Sequence, residues 1–348
     1  MRLLWILITF AESSLMSHVY FSIRPLLWQW IMLLSLSLIA SDAVAKPKPP
    51  KENVQPQALA YTYISAPVWK PLLDRLAAEG QDRAALDQLF TTLPAHMTPA
   101  PMGRKILELY RSKFMPPKPD GSAPKPRPKY YKGTVTQANA EKCKDFLEKH
   151  AVAFAAAEEK FSVPSRVAVA LLFVETRLGA NVGKESALYS LASMALSVSP
   201  DMLGPWLGKL PEDYQAHLSW MREIMPKRAE WAYTELRALT AHILRDKIDP
   251  RVMPGSIYGA IGMCQFMPSN VTAYGADGDN DGIVDLFNPA DAIASLSRYL
   301  HEHGWKAGIT REQQHAVLRT YNKSDTYAAT ILALSDVIAG DPVPADAE

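Results

Sequence analysis

The sequence predicts a mostly α-helical protein, and three observations carry that expectation. Apolar residues recur at three- and four-residue spacing in segment after segment, as one face of a helix requires. No stretch alternates apolar and polar residues well enough for a half-buried strand. Proline-rich or glycine-marked connections separate the segments, and no internal repeat is present. Hydrophobic residues make up 48% of the 348-residue chain, as in folded globular proteins. The chain has 37 basic and 36 acidic residues, for a net charge of +1. That balance gives no electrostatic case for nucleic acid or for an anionic membrane surface.

The first segment stands outside the helical pattern. Arg24 precedes the apolar run Leu26–Ala40, and SDAVA, ending at Ala45, has the small-x-small pattern that signal peptidase cuts. A membrane span needs about 20 apolar residues; this run is shorter, and Gln29 interrupts it. A cleaved signal peptide over residues 1–45 is therefore expected rather than an anchor, with Met16 as a second candidate start. No cysteine near the cut suggests a lipid anchor. Removing the leader takes away two charges of each sign and leaves the balance unchanged. The mature protein is expected to be exported. Export permits a disulfide between the two cysteines, Cys143 and Cys264. Two buried free thiols fit the sequence equally well.

Residues 46–67 read as a linker, opened by the proline- and lysine-rich KPKPPKENVQP. Residues 68–135 form an N-terminal helical segment. Within it, Val68–Leu93 gives two short helices separated by Gly80, and Arg104–Phe114 gives another. Met115–Lys129 is too rich in proline for anything but a loop. The main domain is expected over residues 136–340. One long helix is predicted over Ala138–Phe161. The next begins with Ser162 as cap and Pro164 in the first turn, and stops at Gly179. Leu188–Leu196, Ala229–Arg245, Ala290–His303, Gln313–Tyr321 and Asp325–Ile338 follow as helices.

One carboxylate stands in an unusual place. Seven uncharged residues, Ala168–Val174, lead straight into Glu175. A helix apolar on every face lies in a core, so Glu175 is expected in apolar surroundings near the helix end. Burial disfavours the charged form and raises the pKa, which suits a general acid at neutral pH. The plainer alternative puts Glu175 at the surface, paired with Arg177 or Lys184.

Two further stretches bear on chemistry. SIYGAIGMCQFMPSN, Ser256–Asn270, mixes small residues with one amide in an apolar frame. Gly259 and Gly262 allow close backbone approach, and Gln265 offers both a donor and an acceptor. Such a loop could line a groove. In DGDNDGIVDLFNPAD, Asp277, Asp279 and Asp281 have the spacing of the first ligands of an EF-hand loop. Gly282 takes the sharp turn, and Ile283 offers its carbonyl. Asn288 stands where the usual closing glutamate would be, and Asp291 is a substitute from a longer loop. An oxygen-ligand cation site, with calcium as the natural ion, is expected there.

Other chemistries find no support. Gly179–Glu185 (GANVGKE) is one residue short for a phosphate loop and lacks Ser or Thr after Lys184. His301 and His303 do not share a helix face, no HExxH exists, and the serines lack a nucleophile-elbow context.

In order, VETRLG, GAIGMCQFMPSN, DGDNDG followed by LFNPADAI, HGW at 303–305 and RTYNKSDTYA at 319–328 resemble the membrane-bound lytic murein transglycosylase B family. YRSKF, 110–114, also matches a family element. The resemblance implies a lysozyme-like α domain with flanking helical segments. It implies cleavage of the β-1,4 bond between N-acetylmuramic acid and N-acetylglucosamine in peptidoglycan, with a 1,6-anhydro ring formed and no water added. Glu175 would be the single acid/base, and the substrate's N-acetyl group would stabilise the oxocarbenium-like state. Tyr110, Ser256, Gln265, Tyr321, Asn322 and Tyr327 match groove residues, and Lys227 and Arg228 match a basic pair suited to a carboxylate. No catalytic cofactor is implied; Asp277, Asp279, Asp281, Ile283 and Asp291 would hold a structural calcium. The implied setting is the periplasm of a Gram-negative cell, as a monomer acting on glycan strands, with cell-wall synthesis complexes as candidate partners.

Three departures stand out. Cys264 replaces a frequent glycine, Ser197–Met225 is an insertion, and the stretch from Trp305 to Tyr321 is too short for a β-rich insertion. Rival expectations are a goose-type lysozyme hydrolase, an inactive peptidoglycan-binding protein and, least compatible with a single atypical loop, an EF-hand sensor.

Overall fold

Helical periodicity becomes twelve α-helices in the computed structural model, which describes residues 65–115 and 128–347. The expected signal peptide, the Lys46–Pro56 stretch and most of the Met115–Lys129 loop lie outside the described residues. Helices α1 (Lys70–Ala78) and α2 (Arg83–Phe90) flank Gly80, whose φ of +96° makes the turn. Asp82 caps α2 by accepting from Ala85 N at 2.8 Å. Helix α3 (Ala100–Phe114) starts ahead of the expected Arg104, because Pro101 sits in its first turn, where a missing N–H costs little.

The long helix expected over Ala138–Phe161 is two helices. α4 (Gln137–Lys149) and α5 (Ala151–Phe161) are broken at His150, with φ −116° and ψ 28°. Ser162 does not cap the next helix; it ends α5 in the left-handed region at φ 58°. Pro164 is the N-cap of α6 (Ser165–Thr176) and has no side chain that can accept. Glu158 of α5 supplies the acceptor instead, taking Ser165 N at 2.8 Å and Ser165 Oγ at 2.6 Å. A carboxylate also suits the positive end of the helix dipole.

The remaining helices are α7 (Ala187–Leu196), α8 (Leu218–Asp246), α9 (Pro268–Tyr274), α10 (Pro289–Glu302), α11 (Arg311–Tyr321) and α12 (Asp325–Ala339). Helix α8 begins well before the expected Ala229 and runs through Pro226. An interior proline forfeits a backbone hydrogen bond, but buried Met221 and Met225 anchor the added turns. Two short strands, β1 (Glu185–Ser186) and β2 (Pro254–Gly255), pair antiparallel. The sequence offered no signal for them, since two residues cannot show a period.

Helix α6 is packed on all sides. Val167–Phe173 are all buried, against α4, α5, α10 and α12. One continuous apolar core joins the helices before residue 135 to those after it, from Trp69 and Phe90 to Leu171, Leu236 and Ile331. The Ser197–Met225 insertion contributes 3₁₀ turns over Pro200–Lys209 and Glu212–His217, and then enters α8. It packs on α3: a Cβ at Gly103 would lie 2.3 Å from Trp206 Cγ, so only glycine admits that ring. Cys143 and Cys264 are buried free thiols, so no disulfide joins them. Burial pushes both up to about 12.

Candidate active site

Glu175 occupies the last turn of α6, where the apolar helix reaches the surface. It keeps a partly exposed edge, yet protein surrounds its carboxyl closely. Burial pushes its pKa up to about 7, opposed only in part by a hydrogen bond from Tyr327. That hydroxyl, on α12, donates to Glu175 Oε1 at 2.5 Å. No other charged group shifts Glu175, and among the described residues it has no ion-pair partner. The surface alternative is therefore corrected: Arg177 lies over the Phe173 ring at 4.5 Å instead. A neutral carboxyl with an accessible edge can donate a proton at neutral pH.

The chain leaves α6 abruptly. Arg177, Leu178 and Gly179 are left-handed in succession, at φ 54°, 62° and 91°. Thr176 steadies the turn: it is fully buried, and its Oγ1 accepts from Gly179 N at 3.0 Å and donates to Met263 O at 2.8 Å. Sequence inspection passed over Thr176, whose one signal was its place directly after Glu175 in an apolar stretch.

Met263 belongs to the small-residue loop singled out above. Ile261 bridges both Gly255 and Phe266, folding the loop into a tight hairpin-like turn. Gly262, at φ +74°, lies where a Cβ would come 2.3 Å from Leu286 Cβ, so the close approach requires glycine. Gln265 is itself left-handed at φ 51°. Its Nε2 donates to Val182 O at 3.1 Å and Gly262 O at 2.9 Å. Tyr321 donates to Cys264 O at 2.5 Å, and its ring stacks on Tyr327 with centroids 6.3 Å apart. Burial pushes both tyrosines well above the ordinary phenol range, so both remain hydrogen-bond donors.

Glu175, Tyr321 and Tyr327 are thus brought together, while Gln265 follows Cys264 in the chain and spends its amide N–H groups on main-chain oxygens. The other expected site residues are not tied to them by a side-chain hydrogen bond among the described residues. Ser256 shapes its own turn, accepting from Ala260 N at 3.0 Å. Asn322 is exposed at the end of α11. Lys227 is exposed and paired with Glu223 at 2.7 Å, while Arg228 is half-buried on the same helix. Tyr110 is 1% exposed and donates to Asp213 Oδ1 at 3.2 Å. In this conformation Tyr110 presents no face to a ligand.

The acidic loop gathers Asp277, Asp279 and Asp291, with one oxygen of each within 4.8 Å of the others. Oxygens on one calcium ion, at about 2.3–2.6 Å from it, can be that far apart, so this trio fits a hard cation. Asp291 is 1% exposed and also organises the loop, accepting from Gly278 N and Asp285 N, both at 2.7 Å. Asp281 lies outside the trio; its Oδ1 accepts from Ile283 N at 2.8 Å. Asn288, at the usual glutamate position, donates to Asp279 Oδ2 at 2.6 Å.

Set beside known proteins, residues 65–314 match the transglycosylase SLT domain. The chain is similar to the membrane-bound lytic murein transglycosylase B of Escherichia coli (strain K12), at 29% identity over 180 residues. That alignment takes in 52% of this chain and 42% of the relative, less than half of its length. Soluble lytic transglycosylase SltB1 from Pseudomonas aeruginosa superposes with a TM-score of 0.56 at 23% identity, over 78% of this chain and 98% of its own. SltB3 from the same organism, in complex with NAG-NAM-pentapeptide, gives 0.58 at 19%, over 78% and 79%. Escherichia coli lytic transglycosylase Slt35 in complex with calcium gives 0.55 at 20%, over 82% and 98%. At these identities the structural likeness establishes the fold.

Proposed function

Since the chain belongs to the transglycosylase SLT domain family, we propose that it is a lytic transglycosylase of peptidoglycan with Glu175 as its one acid/base. The observation that carries this reading is a partly exposed carboxyl, held near neutral by burial and hydrogen-bonded by Tyr327, with no second carboxylate acting on it. Most glycosidases need two carboxylates, one of them to activate water or to bond the sugar. A single carboxyl suffices when the substrate supplies its own nucleophile.

The steps follow from that chemistry. Protonated Glu175 gives its proton to the glycosidic oxygen, and the bond from muramic C1 to that oxygen breaks. The N-acetyl group of the muramic residue stabilises the cationic C1. The carboxylate left on Glu175 then takes the proton from the muramic C6 hydroxyl as O6 bonds to C1. The acid is regenerated, no water enters, and the product is a 1,6-anhydro ring. Tyr327 assists the middle of the cycle, because its hydrogen bond favours the ionised carboxyl. Tyr321 stacks on the tyrosine that holds the carboxyl; it and Gln265, Ser256, Asn322, Lys227 and Arg228 are assigned to substrate by family resemblance alone, and Tyr110, covered in this chain, is left out.

Asp277, Asp279 and Asp291 would hold a calcium ion that fixes the loop leading into α10, away from the chemistry. The protein would act after export, on glycan strands. Among the described residues no helix is long and apolar enough to cross a membrane. Digestion of purified sacculi tests the reading, with the muropeptides identified by mass. Anhydro ends are expected. Products heavier by one water would indicate a hydrolase, and no products would indicate a binding protein.

A further inference from the structure

Thr176 joins two strained segments of the site. Its hydroxyl accepts from Gly179 N in the left-handed turn after Glu175, and donates to Met263 O in the loop that carries Gln265. Non-glycine residues hold left-handed conformations only where the surroundings impose them; Arg177, Leu178 and Gln265 all do so here. From Met263 the path continues through its neighbour Cys264, whose carbonyl accepts from Tyr321. Tyr321 stacks on Tyr327 at an interplanar angle of 13°, and Tyr327 donates to Glu175. Glu175 is bonded through the chain to Thr176. The contacts therefore close into a ring around the carboxyl.

We infer that Thr176 is a positioning residue for the transfer step, its hydroxyl closing this ring and fixing the Glu175 carboxyl against the groove loop. The inference rests on Glu175 being the acid. The Tyr327 bond alone holds a carboxyl oxygen but not the helix end from which the side chain hangs. Valine has the shape of threonine without the hydroxyl. It would leave Met263 O unpaired in a buried place and Gly179 N unpaired in a half-buried one, where lost partners are unfavourable. The turn would lose a bond that imposes its conformation, and the carboxyl would move relative to the leaving oxygen.

The test compares wild type, Thr176→Val, Thr176→Ser and Glu175→Gln on soluble glycan strands prepared from sacculi, with melting curves alongside. Misplacement by about 1 Å costs up to about a hundredfold in rate. Thr176→Val should therefore lose about tenfold to a hundredfold in kcat with KM little changed. Thr176→Ser, which keeps the hydroxyl, should recover most of that loss. The alkaline limb of the valine variant's pH profile should move to lower pH, as a looser site hydrates the carboxyl. A valine variant as fast as wild type overturns the inference, as does a serine variant as slow as valine. Should Thr176→Val fail to fold, Tyr321→Phe opens the same ring at Cys264 O. It must then show the same fall in kcat and the same movement of the alkaline limb, and an unmoved limb overturns the inference. An active Glu175→Gln rejects the acid assignment itself. An inactive Glu175→Gln beside an unaffected Thr176→Val rejects only the role of Thr176.

Discussion

Replacing Glu175 with glutamine should cut turnover sharply and, above neutral pH, make the fold more stable. The carboxyl sits at about 7 against an ordinary 4.5, because burial outweighs the opposing Tyr327 hydrogen bond. Below pH 4.5 the folded and unfolded chains both keep the proton, and the wild type carries no penalty. As pH rises from 4.5 to about 7 the unfolded chain releases the proton while the folded chain holds it, so stability falls. Above that range the whole difference is lost from stability. At about 1.4 kcal/mol per pH unit, the upper bound is about 3 kcal/mol. The exposed edge of Glu175 lets water screen part of this, leaving about 1–2 kcal/mol. Glutamine has the same shape, never titrates, and can still accept from Tyr327. For a folded unit of about 270 residues sharing one core, that difference corresponds to a Tm higher by about 2–4 °C. Melting curves of wild type and Glu175→Gln, recorded near pH 4, 6 and 8, should coincide at the acid end and separate steadily toward the alkaline end. The same variant should lose about two orders of magnitude or more in turnover. A gap independent of pH, or a less stable glutamine variant at pH 8, would show that burial does not hold this carboxyl neutral.

Three further outcomes are expected. Tyr327→Phe removes the one interaction that lowers the Glu175 pKa, so the alkaline limb of its activity profile should move to higher pH while kcat drops; an unmoved limb would count against the contact. Millimolar calcium should raise Tm by binding the folded state, by about 2–3 kcal/mol at a hundredfold excess over Kd. Asp279→Ala should erase that rise while Asp281→Ala, outside the trio, keeps part of it, and no rise in the wild type would make the loop a solvated turn. Intact-mass measurement of the protein extracted from cells should place the mature N-terminus at Lys46, whereas retention of residues 26–45 would favour an anchor.

Helices were legible where glycine or proline punctuated them, and less so where tertiary contacts did the work. Gly80, Gly179 and Gly340 each mark a place where the backbone turns left-handed, and the helix ends fell near them. His150 breaks the Ala138–Phe161 run with no such mark, and Glu158 caps α6 from another helix, a bond invisible to local pattern. The catalytic candidate was legible because a lone carboxylate after seven uncharged residues conflicts with its surroundings. Gln265 stood out as the one amide in an apolar, small-residue loop, whereas Tyr321 and Tyr327 came only through ordered motifs, since a tyrosine on an apolar helix is ordinarily core. Thr176 could not be found, because its partner is a main-chain oxygen 87 residues away, and a carbonyl has no residue type.

The Ser197–Met225 insertion shows why a matched motif does not transfer a matched environment. YRSKF places Tyr110 at a position that resembles a groove residue, and the residue type is retained. In this chain the insertion and the start of α8 close over it. Asp213 takes its hydroxyl, His217 stacks on Phe114 with centroids 3.9 Å apart, and Trp220 meets the Tyr110 ring edge-on at 6.1 Å. Trp206, from the same insertion, sits over Gly103, two turns before Tyr110 on the same face of α3. Each contact comes from residues about a hundred positions away in the chain, so the motif alone could not reveal the burial. The surroundings of Glu175 come from α6, α12 and the Met263 loop, none of which this segment interrupts. The segment therefore sets the environment of Tyr110 and leaves that of Glu175 to other elements.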